Sequence, residues 1–366
     1  MTQENIRVLV VDDSAVSRAV ICDQIEAAAG MSVAGRARDG RTALEKIAAL
    51  HPDVVTLDLQ MPGMDGLAVL DAMLASDPVP VIMVSSLTYA GAAVTLDALE
   101  RGAVDFVPKP EKGGARDQAF AEELCAKIRG AVDVDVRRMV TQRKKRRVVA
   151  RPPDRPAIKA TADACPAELA DKCVALGIST GGPPALARLL AELRPPMPPI
   201  VIVQHMPPQF TAPLAARLDS LSALSVREAK QDDALEPNRV LVAPGGKHLE
   251  IARRGGRVRV SIRDGEVVSG HKPSVDVMML GAAEAFGPNC LGVIMTGMGR
   301  DGVNGCGAIR RAGGYVLGQD EASSDVYGMN KVAFNEGHVD RQFALSDAAA
   351  TITRQVRQLG GVTADT

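Results

Sequence analysis

A single serine, Ser179, stands in the stretch Gly177-Ile178-Ser179-Thr180-Gly181-Gly182. An apolar run at 174–176 precedes it, and a helix-period apolar pattern opening with Pro183 and Pro184 follows. The G-x-S-x-G spacing on a strand-to-helix turn suits a nucleophile. Flanking glycines uncrowd a sharp turn, and a helix N-terminus offers N–H groups to a developing oxyanion. The same residues also fit a helix cap or a phosphate-holding loop. A serine nucleophile needs a base, and the chain has five histidines: His51, His205, His248, His271 and His338. His205 ends the apolar run 199–204, at the strand end that shares a rim with Ser179. Asp301 follows the run 291–297 on the same rim and can orient an imidazole. The chain order is then Ser, His, Asp. The order Ser, Asp, His of α/β-hydrolases would make His338 the base, and because triads are defined by geometry both orders stay open.

A second set of chemistry-bearing residues lies in the first third of the chain. Asp12 and Asp13 end the run 6–11, Asp58 ends the run 53–57, Ser85 ends the run 79–85, and Lys109 follows the run 103–107. Carboxylates gathered on one rim repel each other unless a divalent cation lies between them, and hard oxygen donors suit Mg2+. A lysine opposite can neutralise a transferred phosphoryl group. Any one of these residues alone would pass as a turn or cap residue. Four successive strand ends carrying the set are much harder to obtain by chance.

Elements that position such residues follow from the period of the apolar pattern. Residues 1 to about 130 alternate short apolar runs with helical patterns, which predicts a doubly wound parallel sheet. After about residue 170 the alternation resumes in the runs 173–179, 199–205, 239–245, 291–297 and 313–319. Between them, 253–270 reads as a hairpin with glycine-rich turns. The fold class is therefore α/β with two doubly wound domains, the second with a β-hairpin. A length of 366 residues is enough for two cores.

Between the halves, 137–159 carries ten Lys/Arg against one Asp, with three prolines, and reads as a solvated linker. A net charge of -1 and the absence of Trp give no reason to expect nucleic acid. Cys22, Cys125, Cys165, Cys173, Cys290 and Cys306 show no CxxC spacing, which suits a reducing cytoplasm. No run reaches the roughly 18 apolar residues of a membrane span, and the start lacks a signal-peptide pattern.

The motifs VLVVDDS, TLDLQMPGMDG, VIMVSS and DFVPKP resemble those of response-regulator receiver domains. The resemblance implies Asp58 as phosphoacceptor, with Mg2+ held by Asp12, Asp13, Asp58 and the Gln60 carbonyl. Ser85 would be the switch hydroxyl, Phe106 the switch aromatic and Lys109 the phosphate-binding cation. The motifs GISTGGPPAL, QHMPPQFTAPLAARL, APGGKHLEI, GHKPSVDVMM and IMTGMGRDG resemble the catalytic domain of chemotaxis protein-glutamate methylesterases. This implies Ser179 as nucleophile, His205 as base, Asp301 as orienting acid and the Met298 N–H as an oxyanion donor. Thr180, Phe210, Thr211 and the HKPS segment would line the substrate groove.

The implied organisation is a receiver over 1–128, a linker over 129–170, a catalytic domain over 171–358 and a tail over 359–366. The implied function is a phosphorylation-activated serine hydrolase that demethylates glutamate γ-methyl esters, and deamidates glutamines, on methyl-accepting chemotaxis receptors. Its phosphodonor would be a chemotaxis histidine kinase, and hydrolysis itself would need no cofactor. Two rivals make different demands. Another kind of serine hydrolase would need His338, and a nucleic-acid-binding output would use the basic run.

Overall fold

The computed structural model describes residues 5–85, 88–109, 118–141 and 167–359. Cys165, the basic run from 142 onward and the tail from 360 lie outside the described residues. The chain divides into two compact units, Met1–Arg151 and Pro152–Thr366.

The first unit is a five-stranded parallel sheet in the order β2-β1-β3-β4-β5. Its strands are β1 (Ile6–Val11), β2 (Met31–Ala37), β3 (Val54–Asp58), β4 (Val81–Ser85) and β5 (Asp105–Pro108). Helices α1 (Ala15–Ala27), α2 (Gly40–Leu50), α3 (Gly66–Ser76), α4 (Tyr89–Arg101) and α5 (Gln118–Val132) cover its faces, and a short helical segment follows at 136–141. Each of the first four helices starts on a residue whose side chain caps it: Ser14, Asp39, Asp65 and Thr88 each accept from an N–H three residues on. Central strands are apolar throughout because helices bury both faces. Val8, Leu9, Val10, Val54, Val55, Leu57, Val81, Ile82 and Met83 are wholly inaccessible.

The second unit is a seven-stranded parallel sheet in the order β14-β13-β12-β6-β7-β9-β8. Its central strands are β6 (Cys173–Ile178), β7 (Ile200–Gln204), β9 (Arg239–Val242), β12 (Cys290–Ile294) and β13 (Tyr315–Gln319), in the five expected runs. The edges β8 (Ser225–Glu228) and β14 (Arg341–Phe343) were not legible as apolar runs. The helices are α6 (Gly182–Glu192), α7 (Pro208–Leu221), α8 (Val275–Phe286), α9 (Val303–Arg311), α10 (Met329–Asn335) and α11 (Ala348–Gln358). The hairpin is β10 (His248–Arg254) with β11 (Arg257–Arg263), and both residues of its Gly255-Gly256 turn take positive φ, 57° and 79°. Its first strand begins five residues before the expected start at 253. Its inner face, with Leu249, Ile251 and Val260, joins the core beneath α8.

Strand order turns on β6, whose two neighbours, β7 and β12, lie on opposite sides. In open α/β sheets the crevice beyond the strand ends at such a reversal is where ligands bind. Ser179, His205 and Asp301 all come from loops leaving these three strands. No described helix is long and apolar enough to cross a membrane.

Candidate active site and acidic pocket

Register brings the first two residues together. Ile178 pairs with Gln204, so Ser179 and His205 are each the next residue beyond a paired strand end. The His205 N–H donates to the Ile178 carbonyl at 3.2 Å, and Gln204 Nε2 donates to the Ser179 carbonyl at 3.0 Å. From the other side, the Ser179 N–H donates to the Thr296 carbonyl at 2.9 Å. Close approach here demands glycine: a Cβ at Gly297 would stand 2.7 Å from that of Ser179. Gly181, at φ 78°, makes the left-handed turn into α6 and serves as its N-cap. Ser179 supplies no side-chain cap to that helix, which removes the cap reading of its hydroxyl.

His205 Nε2 lies 2.8 Å from Asp301 Oδ2. A carboxylate only accepts, so Nε2 carries the proton and Nδ1 keeps the lone pair. That Nδ1 is buried without a hydrogen-bond partner among the described residues. The His–Asp half of the constellation is therefore formed. Ser179 Oγ makes no hydrogen bond to Nδ1, and bonds of this kind tighten when substrate binds.

Asp301 is fully buried and held by an unusual number of donors. Besides His205, it accepts from the Ser274 hydroxyl at 2.8 Å, the Val275 N–H at 2.7 Å and the Asp276 N–H at 3.0 Å. These last three are the cap and first turn of α8, so the carboxylate sits on a helix N-terminus. Burial pushes its carboxyl up, but the hydrogen bonds from His205 and from the two backbone N–H groups outweigh it. The net effect holds Asp301 below the usual carboxylate range.

The remaining predicted residues divide. The Met298 N–H, one residue past Gly297, meets no acceptor among the described residues and is half-buried beside the Ser179 turn. Thr180 is buried, its carbonyl accepting from the Thr296 hydroxyl. Phe210 and Thr211, expected to line the groove, are fully buried. The Thr211 hydroxyl bonds Glu228 Oε1 at 2.6 Å and accepts from the Gly245 N–H at 3.1 Å, so it ties α7 to the loop after β9. His338 lies beside Gly307 and 3.8 Å from Glu336, and no contact joins it to Ser179 among the described residues. The spacing did not reveal two roles. Ser274 positions Asp301, and His271 stacks on His205.

In the first unit, Lys109 Nζ bridges Asp58 Oδ2 at 2.6 Å and Asp12 Oδ2 at 2.8 Å. Oxygen atoms of Asp12, Asp13 and Asp58 lie within 4.8 Å of one another, a hard donor set that fits Mg2+. Burial pushes the Asp58 carboxyl above the usual range. The Asp12 charge adds to this, and Lys109 and the Gln60 N–H offset it only in part. Lys109 is itself raised: burial disfavours its charge, and hydrogen bonds and charges of Asp12 and Asp58 overcome that. Ser85 is buried with its hydroxyl 2.8 Å from that of Thr95 on α4. Phe106 is buried under Lys127, whose ammonium stands 5.0 Å from the ring centroid and bonds the Phe106 carbonyl at 2.6 Å.

Comparison with known proteins matches residues 174–352 to the CheB methylesterase family and residues 8–119 to the response regulator receiver domain. A protein-glutamate methylesterase/protein-glutamine glutaminase of Syntrophotalea carbinolica is 44% identical over 350 residues, 95% of this chain and 97% of that one. The chain belongs to this methylesterase/glutaminase family. A member from Pyrococcus abyssi is 41% identical over 365 residues, covering 99% of this chain and 96% of that one. The crystal structure of the Thermotoga maritima CheB methylesterase catalytic domain shares 36% identity and a TM-score of 0.49, over 51% of this chain and 98% of that one. Both relatives align over nearly the whole chain, and so across both matched segments.

Proposed function

We propose that this chain hydrolyses glutamate γ-methyl esters on methyl-accepting chemotaxis receptors, deamidates glutamines there, and is activated by phosphorylation of Asp58. The observation that carries the hydrolytic part is the oriented His205 ring. Its Nε2–H is bonded to Asp301, and its buried lone pair lies one strand over from Ser179.

In this reading Ser179 Oγ attacks the ester carbonyl and its proton passes to His205 Nδ1. Asp301 holds the ring and stabilises the imidazolium that forms. The Met298 N–H donates to the tetrahedral oxyanion. The proton on Nδ1 then goes to the leaving methoxide, and methanol departs. Water attacks the acyl-enzyme with the same base, regenerating Ser179 and leaving a glutamate carboxylate. A γ-amide is nearly isosteric with the ester, so glutamine follows the same route with ammonia leaving.

Regulation is assigned to the acidic pocket. Asp58 accepts a phosphoryl group from a histidine kinase, and Asp12, Asp13, Asp58 and the Gln60 carbonyl would hold the Mg2+. That ion supplies charge neutralisation for phosphoryl transfer. Lys109 and the Ser85 hydroxyl receive the new oxygens, and the added charge biases Phe106 and α4. The reading puts the chain in the cytoplasm, with the receptor's signalling helices and the kinase as partners.

Methanol release from a methylated receptor tests the whole reading. We expect release that rises with acetyl phosphate and vanishes in Ser179→Ala. A Ser179→Ala protein that releases methanol at the wild-type rate would refute the assignment.

A further inference from the structure

We infer that His271 is a positioning residue for this hydrolysis, setting the plane of His205 and stabilising its protonated form. The inference rests on the active-site reading above. The two rings are stacked with centroids 3.6 Å apart and planes within 8°. Such a close, parallel sandwich is not what two neutral aromatic rings prefer, because their π-faces repel and offset or edge-on packing wins. It becomes favourable when one ring is a cation lying on the face of the other. His205 becomes that cation when it takes the serine proton. The stack is therefore better matched to the transition state than to the resting site, which is the condition for an interaction to raise kcat.

His271 is held in this pose from its far edge. Its Nδ1 lies 3.0 Å from the Ser269 carbonyl, and since a carbonyl only accepts, Nδ1 carries the proton. Ser269 and Gly270 both take positive φ, 52° and 83°, which gives the segment a tight turn just before the ring. The Ser269 hydroxyl bonds Asp276 Oδ2 at 3.0 Å and closes the turn onto α8. Four residues past the turn begins the group Ser274, Val275 and Asp276 that binds the Asp301 carboxylate. One stretch, 269–276, thus controls His205 twice: by its face through His271 and by its edge through Asp301.

Three substitutions in the full-length chain separate the ring from its hydrogen bond. His271→Ala removes both, His271→Gln keeps an N–H donor without a ring, and His271→Phe keeps a ring without the donor. With methylated receptor as substrate, His271→Ala and His271→Gln should each lower kcat about tenfold with KM within about twofold. His271→Phe should recover kcat to within about threefold of wild type. Hydrolysis of a p-nitrophenyl ester should show the same ranking, since the effect acts on the base and not on receptor binding. Rescue by Gln but not Phe, a rise in KM alone, or an unchanged kcat in all three would overturn the inference. Urea unfolding of each variant guards against simple misfolding, and Phe carries the test if Ala does not fold. Ser179→Ala is the control for the underlying reading. If it stays active the active-site assignment fails, whereas an inactive Ser179→Ala beside a wild-type-like His271→Ala sinks only the role of His271.

Discussion

Two buried aspartates, Asp58 at the end of β3 and Asp301 in the loop that leaves β12, sit on the carboxyl rims of their sheets, and the protein treats them in opposite ways. Asp301 meets four donors, two of them backbone N–H groups of a helix N-terminus, and is held below the usual carboxylate range. Asp58 meets one lysine that it shares with Asp12, and is pushed above that range by burial and its neighbour's charge. Asp301 is complete as it stands, with its negative charge paid in full by groups fixed in the fold. The acidic pocket is under-neutralised, which suits a site whose balance arrives with a cation and a phosphoryl group. A group that must hold one charge state through a reaction is thus surrounded by donors, and a group that must change its charge is left short of them.

Activity should break this comparison most strongly. Asp301→Asn should lower hydrolysis by about 10^4-fold, because the amide cannot hold the same His205 tautomer. Asp58→Asn should instead abolish the response to acetyl phosphate. Methanol release with and without the phosphodonor reads both. Equal losses of basal hydrolysis in the two variants would dissolve the contrast.

Stability should separate the two by sign. Removing the Asp301 charge strands buried donors and should cost about 1–3 kcal/mol by urea unfolding. Asp58→Asn relieves a carboxylate that burial disfavours, and should raise the receiver's unfolding midpoint. The pH dependence follows the same signs. A depressed folded pKa means that Asp301 contributes its full stability above the unfolded carboxylate value, lost progressively as pH falls from there through the lower folded value. A raised folded pKa means that the Asp58 penalty is absent in acid, grows as pH rises past the unfolded carboxylate value and is complete above the higher folded value. Titration of the two side-chain carboxyls by NMR, without Mg2+, should find Asp58 protonating first on acidification, and the reverse order would contradict the account.

Smaller effects sharpen the contrast. Ser274→Ala removes one of four donors from Asp301 and should reduce kcat about tenfold, at a cost near 1 kcal/mol. Thr95→Val removes the partner of the Ser85 hydroxyl and should change activation by acetyl phosphate only about two- to threefold, with basal hydrolysis unaltered. A loss as large as that of Asp58→Asn would mean that Thr95 does more than hold the resting hydroxyl.

Much of this was readable along the chain. The eight interior strands of the two parallel sheets are largely apolar runs because helices cover both faces, and apolarity is what a sequence displays most plainly. The edges β8, as Ser225-Val226-Arg227-Glu228, and β14, as Arg341-Gln342-Phe343, are short and half-polar because one side faces water, and they carry no such signal. The basic run from 142 onward was legible only as composition.

The sequence by itself determined which residues end each strand of a parallel sheet, and hence that Ser179, His205 and Asp301 share one rim and Asp12, Asp13, Asp58, Ser85 and Lys109 another. That follows because strand ends and helix starts are local, set by period and by glycine. Only the tertiary structure decided that Phe210 and Thr211 turn inward, that Ser274 grips Asp301, and that His271 lies flat on His205. The first depends on how α7 packs on β8 and the loop after β9, the other two on how α8 and the turn before it meet the loop after β12. Such a meeting is set by packing between segments distant in the chain, for which no local spacing carries a mark.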